Sequence, residues 1–246
     1  MPSIENTNIL IIGGSSGIGY AVAEQCLSQG ATVHIASSTP TRITTATTTL
    51  QSQFPSSSIT GHVCDLSTPT VETNLDALLK TAAPLDHIVY TAGDKLPLHP
   101  LSSITLETIH AAGHIRFFVP LLLGKLLPKY TKPGYKSSYT LTTGAASQKP
   151  FPGWSLIGGY ITGLHGMTRN LALDLRPLRV NLVSPGAVDT PMWGEGGVPE
   201  GLSRGEGTAL GKVGTAEEVA EAYVYLMRDS NATGSVVSSN GGSLLM

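Results

Sequence analysis

A glycine-rich turn near the start of the chain limits its possible folds more than any other feature. Residues 12–19 (Ile-Gly-Gly-Ser-Ser-Gly-Ile-Gly) close an apolar run and open a helical pattern. A buried strand that turns through glycines into a helix N-terminus directs backbone N–H groups and the helix dipole at one point, where a phosphate binds. The spacing is G-x-x-x-G-x-G, not the common G-x-G-x-x-G. Glycine also suits any tight turn, but this strand–helix junction predicts a nucleotide site.

Strand-like and helical patterns alternate along the whole chain, with no internal repeat and no dividing linker. The predicted strands are 8–12, 32–36, 59–64, 87–91, 138–143, 179–184 and 236–238, and the predicted helices are 17–28, 41–53, 70–81, 103–127, 155–175 and 216–228. Such alternation favours a parallel sheet covered on both faces. We therefore expect one α/β domain over residues 1–246, a Rossmann-type doubly wound sheet of about seven strands with helices on both faces. The helix at 41–53 is rich in threonine, a poor helix former.

The composition argues against several classes of partner and against a metal site. The net charge is −2, which gives no reason to expect nucleic acid or an anionic membrane as partner. Cys26 and Cys64 have no metal-ligand spacing, so we expect free thiols, a reducing compartment and no metal site. No apolar run reaches the roughly 18 residues of a membrane span, and the start lacks the basic residues of a signal peptide. These features predict a soluble cytoplasmic protein.

A long irregular stretch at 191–212 follows the predicted sixth strand and contains seven glycines, at 194, 196, 197, 201, 205, 207 and 211. Doubly wound sheets bind ligands beyond the carboxyl ends of their strands. The stretch is therefore interpreted as a substrate lid, with a plain surface loop as the alternative.

Five segments, taken together, resemble the short-chain dehydrogenase/reductase superfamily over nearly the whole chain. They are 13–19 (Gly-Gly-Ser-Ser-Gly-Ile-Gly), 65–66 (Asp-Leu), 91–93 (Thr-Ala-Gly), 181–190 (Asn-Leu-Val-Ser-Pro-Gly-Ala-Val-Asp-Thr) and 233–242, which begins Thr-Gly and ends Asn-Gly-Gly. The usual Thr before the first glycine is Ile12 here.

The resemblance implies a nicotinamide cofactor and a role for each matching residue. It places Gly13, Ser15, Ser16, Gly17, Ile18 and Gly19 at the diphosphate, Asp65 and Leu66 at the adenine, Ala92 and Gly93 at the ribose, and Pro185, Gly186, Val188 and Thr190 at the nicotinamide. The alternative for each glycine is that the turn alone requires it. The alternative for Asp65 is that it caps a helix ahead of Ser67.

The end of the predicted second strand indicates which nicotinamide cofactor is used. NAD sites usually carry an acid there for the ribose 2′-hydroxyl. Here Ser37, Ser38 and Thr39 follow the strand, with no acid, and Arg42 comes shortly after. Hydroxyl donors and a guanidinium suit a 2′-phosphate, which favours NADP(H). The alternative is that Arg42 is a solvated helix residue.

The superfamily's catalytic Asn, Ser, Tyr and Lys are not matched. Aligned on residues 167–172 (Met-Thr-Arg-Asn-Leu-Ala), the Tyr and Lys positions fall on Ile157 and Ile161, the Ser position on Thr143 and the Asn position on Arg116. In the family the tyrosine protonates the carbonyl oxygen and the lysine lowers its pKa. Since a positioned acid contributes about 10²–10⁴ in rate, the usual carbonyl mechanism cannot operate here.

Three residues are candidates to replace that machinery. Arg116 lies in an apolar run four residues before Pro120, whose missing N–H predicts a helix kink, and a cation there can orient or stabilise a substrate oxygen. The alternative is a salt bridge across a subunit interface. Asp94 is a candidate proton donor or a loop cap, and Thr143 keeps a hydroxyl for the substrate.

We expect an NADP(H)-dependent reductase that acts on an imine or carbonyl in specialised metabolism. Its substrate is expected to be a small molecule that is bulky and apolar. One alternative is a non-redox cyclase or isomerase that uses Arg116 beside NADP(H), and another is a non-catalytic cofactor-binding protein. The resemblance also implies a homodimer or homotetramer through the helices at 103–127 and 155–175.

Overall fold

The computed structural model describes residues 2–96, 98–199 and 205–246. Their centre is one seven-stranded sheet with the order β3-β2-β1-β4-β5-β6-β7, in which every neighbouring pair is parallel. The strands are β1 (Asn8–Ile12), β2 (Thr32–Ser37), β3 (Ile59–Val63), β4 (His87–Tyr90), β5 (Ser138–Thr142), β6 (Arg179–Pro185) and β7 (Val236–Ser239). The predicted Rossmann-type sheet is confirmed.

Seven α-helices connect these strands within the described residues. They are α1 (Gly17–Ser28), α2 (Pro40–Gln53), α3 (Val71–Ala82), α4 (Leu106–Gly113), α5 (Val119–Leu126), α6 (Ser155–Asp174) and α7 (Ala216–Arg228). The threonine-rich α2 forms because Ile43, Ala46 and Leu50 bury one of its faces and Pro40 suits a first helical position.

Helices cover the sheet on both faces, because alternate residues of each strand point to opposite sides. Ile9, Ile11 and Ile35 belong to a buried cluster with α1, α2 and α7. Leu10 and Ile12 belong to a second cluster with α3, α5 and α6. The carboxyl ends of β1, β2 and β4 stay together at one edge, where the glycine-rich turn lies.

The predicted helix at 103–127 is interrupted at the place where the sequence predicts a kink. Between α4 and α5 the backbone forms a π turn, His114–Phe118, in which Val119 N–H donates to the carbonyl of His114. Such turns insert one extra residue into a helix. The backbone angles of His114, Phe118 and Val119 stay in the right-handed helical region, so helical backbone continues from α4 through the π turn into α5.

The predicted lid is irregular where the structure describes it, apart from a 3₁₀ turn at Pro191–Trp193. Its residues 200–204 lie outside the described part of the chain. The last residues of the predicted lid are attached to the rest of the domain. Leu210 N–H donates to the Gly241 carbonyl, and just beyond the lid Gly214 forms a β-bridge with Val188. Among the described helices, none is long and apolar enough to span a membrane.

Stability is expected to rise with pH between about 4 and 6.5, because three histidines are held neutral. Burial, with the charge of His62, lowers the pKa of His34 to about 4, and burial also lowers that of His62. Burial, then the charge of Arg179, lowers the pKa of His87 to about 4. The unfolded chain therefore binds more protons in this window, and stability present above about pH 6.5 is lost as the pH falls towards 4.

Urea unfolding at several pH values measures this dependence. His87→Asn keeps a polar atom for Ser138 Oγ, which lies 2.9 Å from His87 Nδ1, and should reduce the slope of stability against pH. His110→Asn, at an exposed histidine, is the matched control. An unchanged slope in His87→Asn would show that His87 does not contribute.

Candidate cofactor and active site

One cleft of about 1440 Å³ opens at the carboxyl edge of the sheet. Its wall comes from the ends of β1, β2, β3 and β4 and from the first part of the lid. It contains these predicted cofactor residues: Gly13, Ser15, Ser16, Gly17, Ile18, Gly19, Ser37, Ser38, Arg42, Asp65, Leu66, Ala92, Gly93 and Thr190. The structure therefore brings most of the predicted cofactor site together.

Glycine is required in the turn because the end of β4 packs against it. Gly13 has a φ of +96°, and a Cβ there would lie 2.5 Å from Ala92 N. A Cβ on Gly19 would lie 2.3 Å from the Gly13 carbonyl oxygen. Ser16 precedes the first turn of α1 and its hydroxyl makes no capping hydrogen bond. This cradle of backbone and free hydroxyl, at the N-terminus of a 12-residue helix, fits a diphosphate.

Hydroxyl groups and a guanidinium line the adjacent end of the cleft. Ser37 is the last residue of β2 and Ser38 follows it, and Thr41, Arg42 and Thr45 lie on α2. Arg42 and the two threonines are exposed. This donor set has the chemistry of a phosphate site.

Asp65 caps a loop and also lines the cleft, so both interpretations of this residue stay open. Its Oδ1 accepts hydrogen bonds from Ser67 N at 2.9 Å and Ser67 Oγ at 2.7 Å, so it caps the loop after β3. These bonds lower the pKa of the Asp65 carboxyl. The side chain also lines the cleft beside Leu66. Because a carboxylate accepts at both oxygens, capping leaves Oδ2 for a ligand.

Arg116 lies behind the cleft wall rather than in it. Its side chain is 12% exposed, its Nη2 donates to the Asp94 carbonyl, and its Nε is 3.1 Å from Asp94 Oδ1. A Cβ on Gly93 would lie 2.8 Å from Nη1. Burial lowers the pKa of Arg116, against which the charge of Asp94 acts. Within the chain, the ion-pair partner of Arg116 is Asp94; a salt bridge across a subunit interface was the alternative interpretation of this residue.

Asp94 itself is 41% exposed and forms part of the wall. Its Oδ1 lies 3.1 Å from Arg116 Nε, but this nitrogen has no hydrogen-bond partner among the described residues, so the contact is an ion pair without a hydrogen bond at Nε. Lys95, beside it in the wall, was missed by the sequence reasoning. It adjoins the matched segment 91–93, and this was the one signal that could have found it.

The positions assigned to the family's Ser, Tyr and Lys are not part of the described cleft wall. Thr143 Oγ1 donates to the Ile161 carbonyl at 2.6 Å. Ile157 is fully buried and Ile161 is 8% exposed. Thr142, one residue earlier, does line the cleft, and its hydroxyl is 2.7 Å from Tyr223 Oη.

The segment after β6 contributes Thr190 and the start of the lid. Gly186 packs against Asn240, with a Cβ there 2.9 Å from Asn240 backbone, and Val188 is buried. Pro185, Gly186 and Val188 therefore lie outside the described cleft wall. The lid contributes Met192 and Trp193, and Trp193 Nε1 donates to the Val188 carbonyl at 2.8 Å.

Both cysteines are free and buried. Cys64 lines the cleft, but burial and the charge of Asp65 raise the pKa of its thiol to about 11. It is therefore not a ready nucleophile. No cluster of three or more metal-ligating side chains occurs in residues 2–96, 98–199 and 205–246.

Comparisons with known proteins match this chain to short-chain dehydrogenase/reductase proteins over nearly its full length. A family model for the SDR-like Rossmann domain matches residues 2–246. The short-chain dehydrogenase/reductase malC of Malbranchea aurantiaca is 45% identical over 98% of this chain and 96% of its own. The short-chain dehydrogenase/reductase ATR9 of Stachybotrys chlorohalonatus is 43% identical over the full length of both.

Solved structures give the same result. The MalC reductase/Diels-Alderase from Malbranchea aurantiaca superposes with a TM-score of 0.93 at 44% identity, over 99% of this chain and 98% of that one. A small-chain dehydrogenase in complex with NADPH superposes with a TM-score of 0.79 at 26% identity, over 98% and 100%. The chain belongs to the short-chain dehydrogenase/reductase superfamily.

Proposed function

We propose that the chain is an NADP(H)-dependent oxidoreductase with a non-standard active site, which reduces an imine or a carbonyl group in a specialised metabolic pathway. The observation that carries the proposal is one continuous cleft from the glycine cradle and Arg42 to Asp94 and the lid residues Met192 and Trp193. Its volume of 1440 Å³ exceeds the about 300–1,000 Å³ of a typical small-molecule site. A cofactor and a substrate can therefore lie in it together. MalC, a related chain, is named a reductase.

The missing proton donor favours the imine. The bound cofactor supplies a hydride to an electrophilic carbon. A carbonyl oxygen must be protonated as hydride arrives, and neither Ile157 nor Ile161 can do this. An iminium carbon is already electrophilic and needs no proton at that moment. Met192, Trp193 and Ile115 in the cleft wall favour a bulky, apolar substrate.

The test is turnover of NADPH with a panel of cyclic imines and matched ketones, followed by the absorbance of the reduced nicotinamide. We expect consumption that is faster with imines. If saturating NADPH is bound but consumed with no member of either panel, the reductase proposal fails.

A cyclase or isomerase is the second candidate, and the buried Ile157 and Ile161 favour it because they offer no acid to a redox step. The relative MalC is named a Diels-Alderase as well as a reductase. Arg116 would then act on the substrate through Asp94, which it contacts. Two results together would establish this function. The wild type would convert substrate without any change in cofactor absorbance, and a folded Arg116→Ala variant would lose that conversion. A non-catalytic cofactor-binding protein would bind NADPH, but it would neither consume the cofactor nor convert a substrate.

Replacing Arg42 by alanine is expected to weaken NADPH binding about 10- to 100-fold and NADH binding by less than threefold. A hydrogen bond to a charged group contributes about 1.5–3 kcal/mol, and only NADPH has the 2′-phosphate. Fluorescence titration with each cofactor measures both constants. Lys80→Ala removes another exposed cation, on α3, and should change neither. Equal losses for NADPH and NADH in Arg42→Ala would contradict the 2′-phosphate assignment.

We also propose that the chain forms a homodimer or homotetramer in the cytoplasm. The outward face of α6 carries the small residues Ser155, Gly159 and Thr162 and the exposed Leu173, which allow close approach of another helix. Light scattering on the purified protein measures the assembly directly. The two buried free thiols are consistent with a reducing compartment.

A further inference from the structure

The π turn at His114–Phe118 has a hydrogen-bonding problem that its own backbone cannot solve. Within it, Val119 N–H donates to the carbonyl of His114, five residues back. The same pattern, continued by one residue, would have residue 120 donate to the carbonyl of Ile115. Residue 120 is proline, which has no N–H. The Ile115 carbonyl is therefore left without a helical donor, and a buried carbonyl without a partner is costly.

The hydroxyl of Tyr90 supplies the missing donor. Tyr90 is the last residue of β4, it is 3% exposed, and its Oη lies 2.5 Å from the Ile115 carbonyl oxygen. Burial raises the pKa of this phenol well above its usual value, so the hydroxyl keeps the proton that it donates. A residue of the central sheet thus stands in for the N–H that Pro120 lacks.

The π turn holds two side chains against the cleft. Ile115 is part of the cleft wall. Arg116, the next residue, contacts Gly93 and holds Asp94 by its carbonyl and its carboxylate. On its other side, His114 Nε2 lies 2.8 Å from the carbonyl of Leu66, which also lines the cleft. The position of this turn therefore sets both the substrate end of the wall and the loop after β4.

We propose that Tyr90 is a positioning residue, whose hydroxyl replaces the absent N–H of Pro120 and thereby fixes the π turn. Through Ile115 and Arg116, the π turn in turn sets the geometry of Gly93 and Asp94 at the cleft. The kinetic part of this inference rests on the proposed reductase function, whereas the structural part does not. The glycine cradle and Arg42 lie on other elements, whereas the π turn contacts the predicted cofactor residues Leu66 and Gly93, so NADPH affinity should fall, but less than turnover does.

Tyr90→Phe tests the proposal by removing one oxygen atom. Hydrogen exchange of the cofactor-free protein should show at least tenfold faster exchange in peptides covering 114–121. The kcat for NADPH consumption should fall at least tenfold, and the NADPH Kd should rise by a smaller factor. If the wild type binds or consumes no NADPH, the proposed function fails, and the exchange experiment still decides the role of Tyr90.

Tyr139→Phe is the matched control. Tyr139 is fully buried on the neighbouring strand, and its hydroxyl donates at 3.0 Å to the carbonyl of Pro120, just after the π turn. It should lower the melting temperature as Tyr90→Phe does, while exchange of 114–118 and kcat stay near wild type. If the two variants behave alike in exchange and kcat, Tyr90 is an ordinary buried tyrosine and the proposal is overturned.

Pro120→Ala provides a rescue, because it restores an N–H at residue 120 that can donate to Ile115. The double variant Tyr90→Phe/Pro120→Ala should recover slow exchange and a kcat within threefold of Pro120→Ala alone. If Tyr90→Phe is as damaging in the Pro120→Ala protein as in wild type, the hydroxyl does not replace the proline's N–H, and the proposal is overturned.

Discussion

Gly13→Ala is expected to raise the Kd for NADPH at least 100-fold, which corresponds to about 2.7 kcal/mol. The new Cβ would lie 2.5 Å from Ala92 N and 2.8 Å from Ala92 Cα. Both are backbone atoms of the segment that follows β4, so neither can move aside as a flexible side chain would. Either the glycine-rich turn or this segment must shift, and both line the cleft. Fluorescence titration with NADPH measures the loss.

Gly153→Ala separates this overlap from backbone strain. Gly153 has a φ of +79°, similar in sign to the +96° of Gly13, but a Cβ there meets no atom within 4 Å. Both variants therefore impose the conformational cost of a positive φ, and only Gly13→Ala creates a collision. A folded Gly13→Ala protein that binds NADPH within threefold of wild type would show that the turn is not the cofactor cradle.

The fold was predictable because a doubly wound parallel sheet produces a simple sequence pattern. Its strands are buried on both faces and appear as short continuous apolar runs, such as Ile9–Ile12. The first helix, Gly17–Ser28, and the last, Ala216–Arg228, have the predicted limits. The last helix begins with a capping box between Thr215 and Glu218, a local signal present in the sequence. Most of the residues that the resemblance assigns to the cofactor follow strand ends, and the structure places them in one cleft.

The geometry of the candidate catalytic residues could not be predicted, because it depends on contacts between distant parts of the chain. The kink before Pro120 is a local effect, but the π turn it becomes depends on Tyr90, 25 residues from Ile115. Spacing likewise cannot show that Arg116 turns towards Asp94, 22 residues earlier in the chain. Thr143 retains the expected hydroxyl, yet that group donates to Ile161.

Arg179→Met is expected to lower the free energy of unfolding by more than about 3 kcal/mol, the largest effect on stability of any single change considered. Arg179 is 3% exposed at the start of β6. Its guanidinium donates to the carbonyls of Leu226 at 2.6 Å and Met227 at 2.9 Å, in the last turn of α7. It also donates to the carbonyls of Tyr135, Lys136, Asp229 and Ala232. A methionine side chain has no hydrogen-bond donor for these carbonyls, and each buried acceptor left unsatisfied costs about 1–3 kcal/mol.

The change in melting temperature gives the measurement, since about 1 kcal/mol corresponds to roughly 2–4 °C for a chain of this size. A loss of more than about 6 °C is therefore expected. Arg176→Met is the matched control, because among the described residues the exposed Arg176 guanidinium donates to the Leu173 carbonyl alone, at 3.1 Å. Burial lowers the pKa of Arg179 and the charge of Asp229 acts against this, so the carbonyls and this one carboxylate together offset the cost of burying the guanidinium. If Arg179→Met melts within about 2 °C of wild type, methionine packing has replaced them and the helix end does not need the guanidinium.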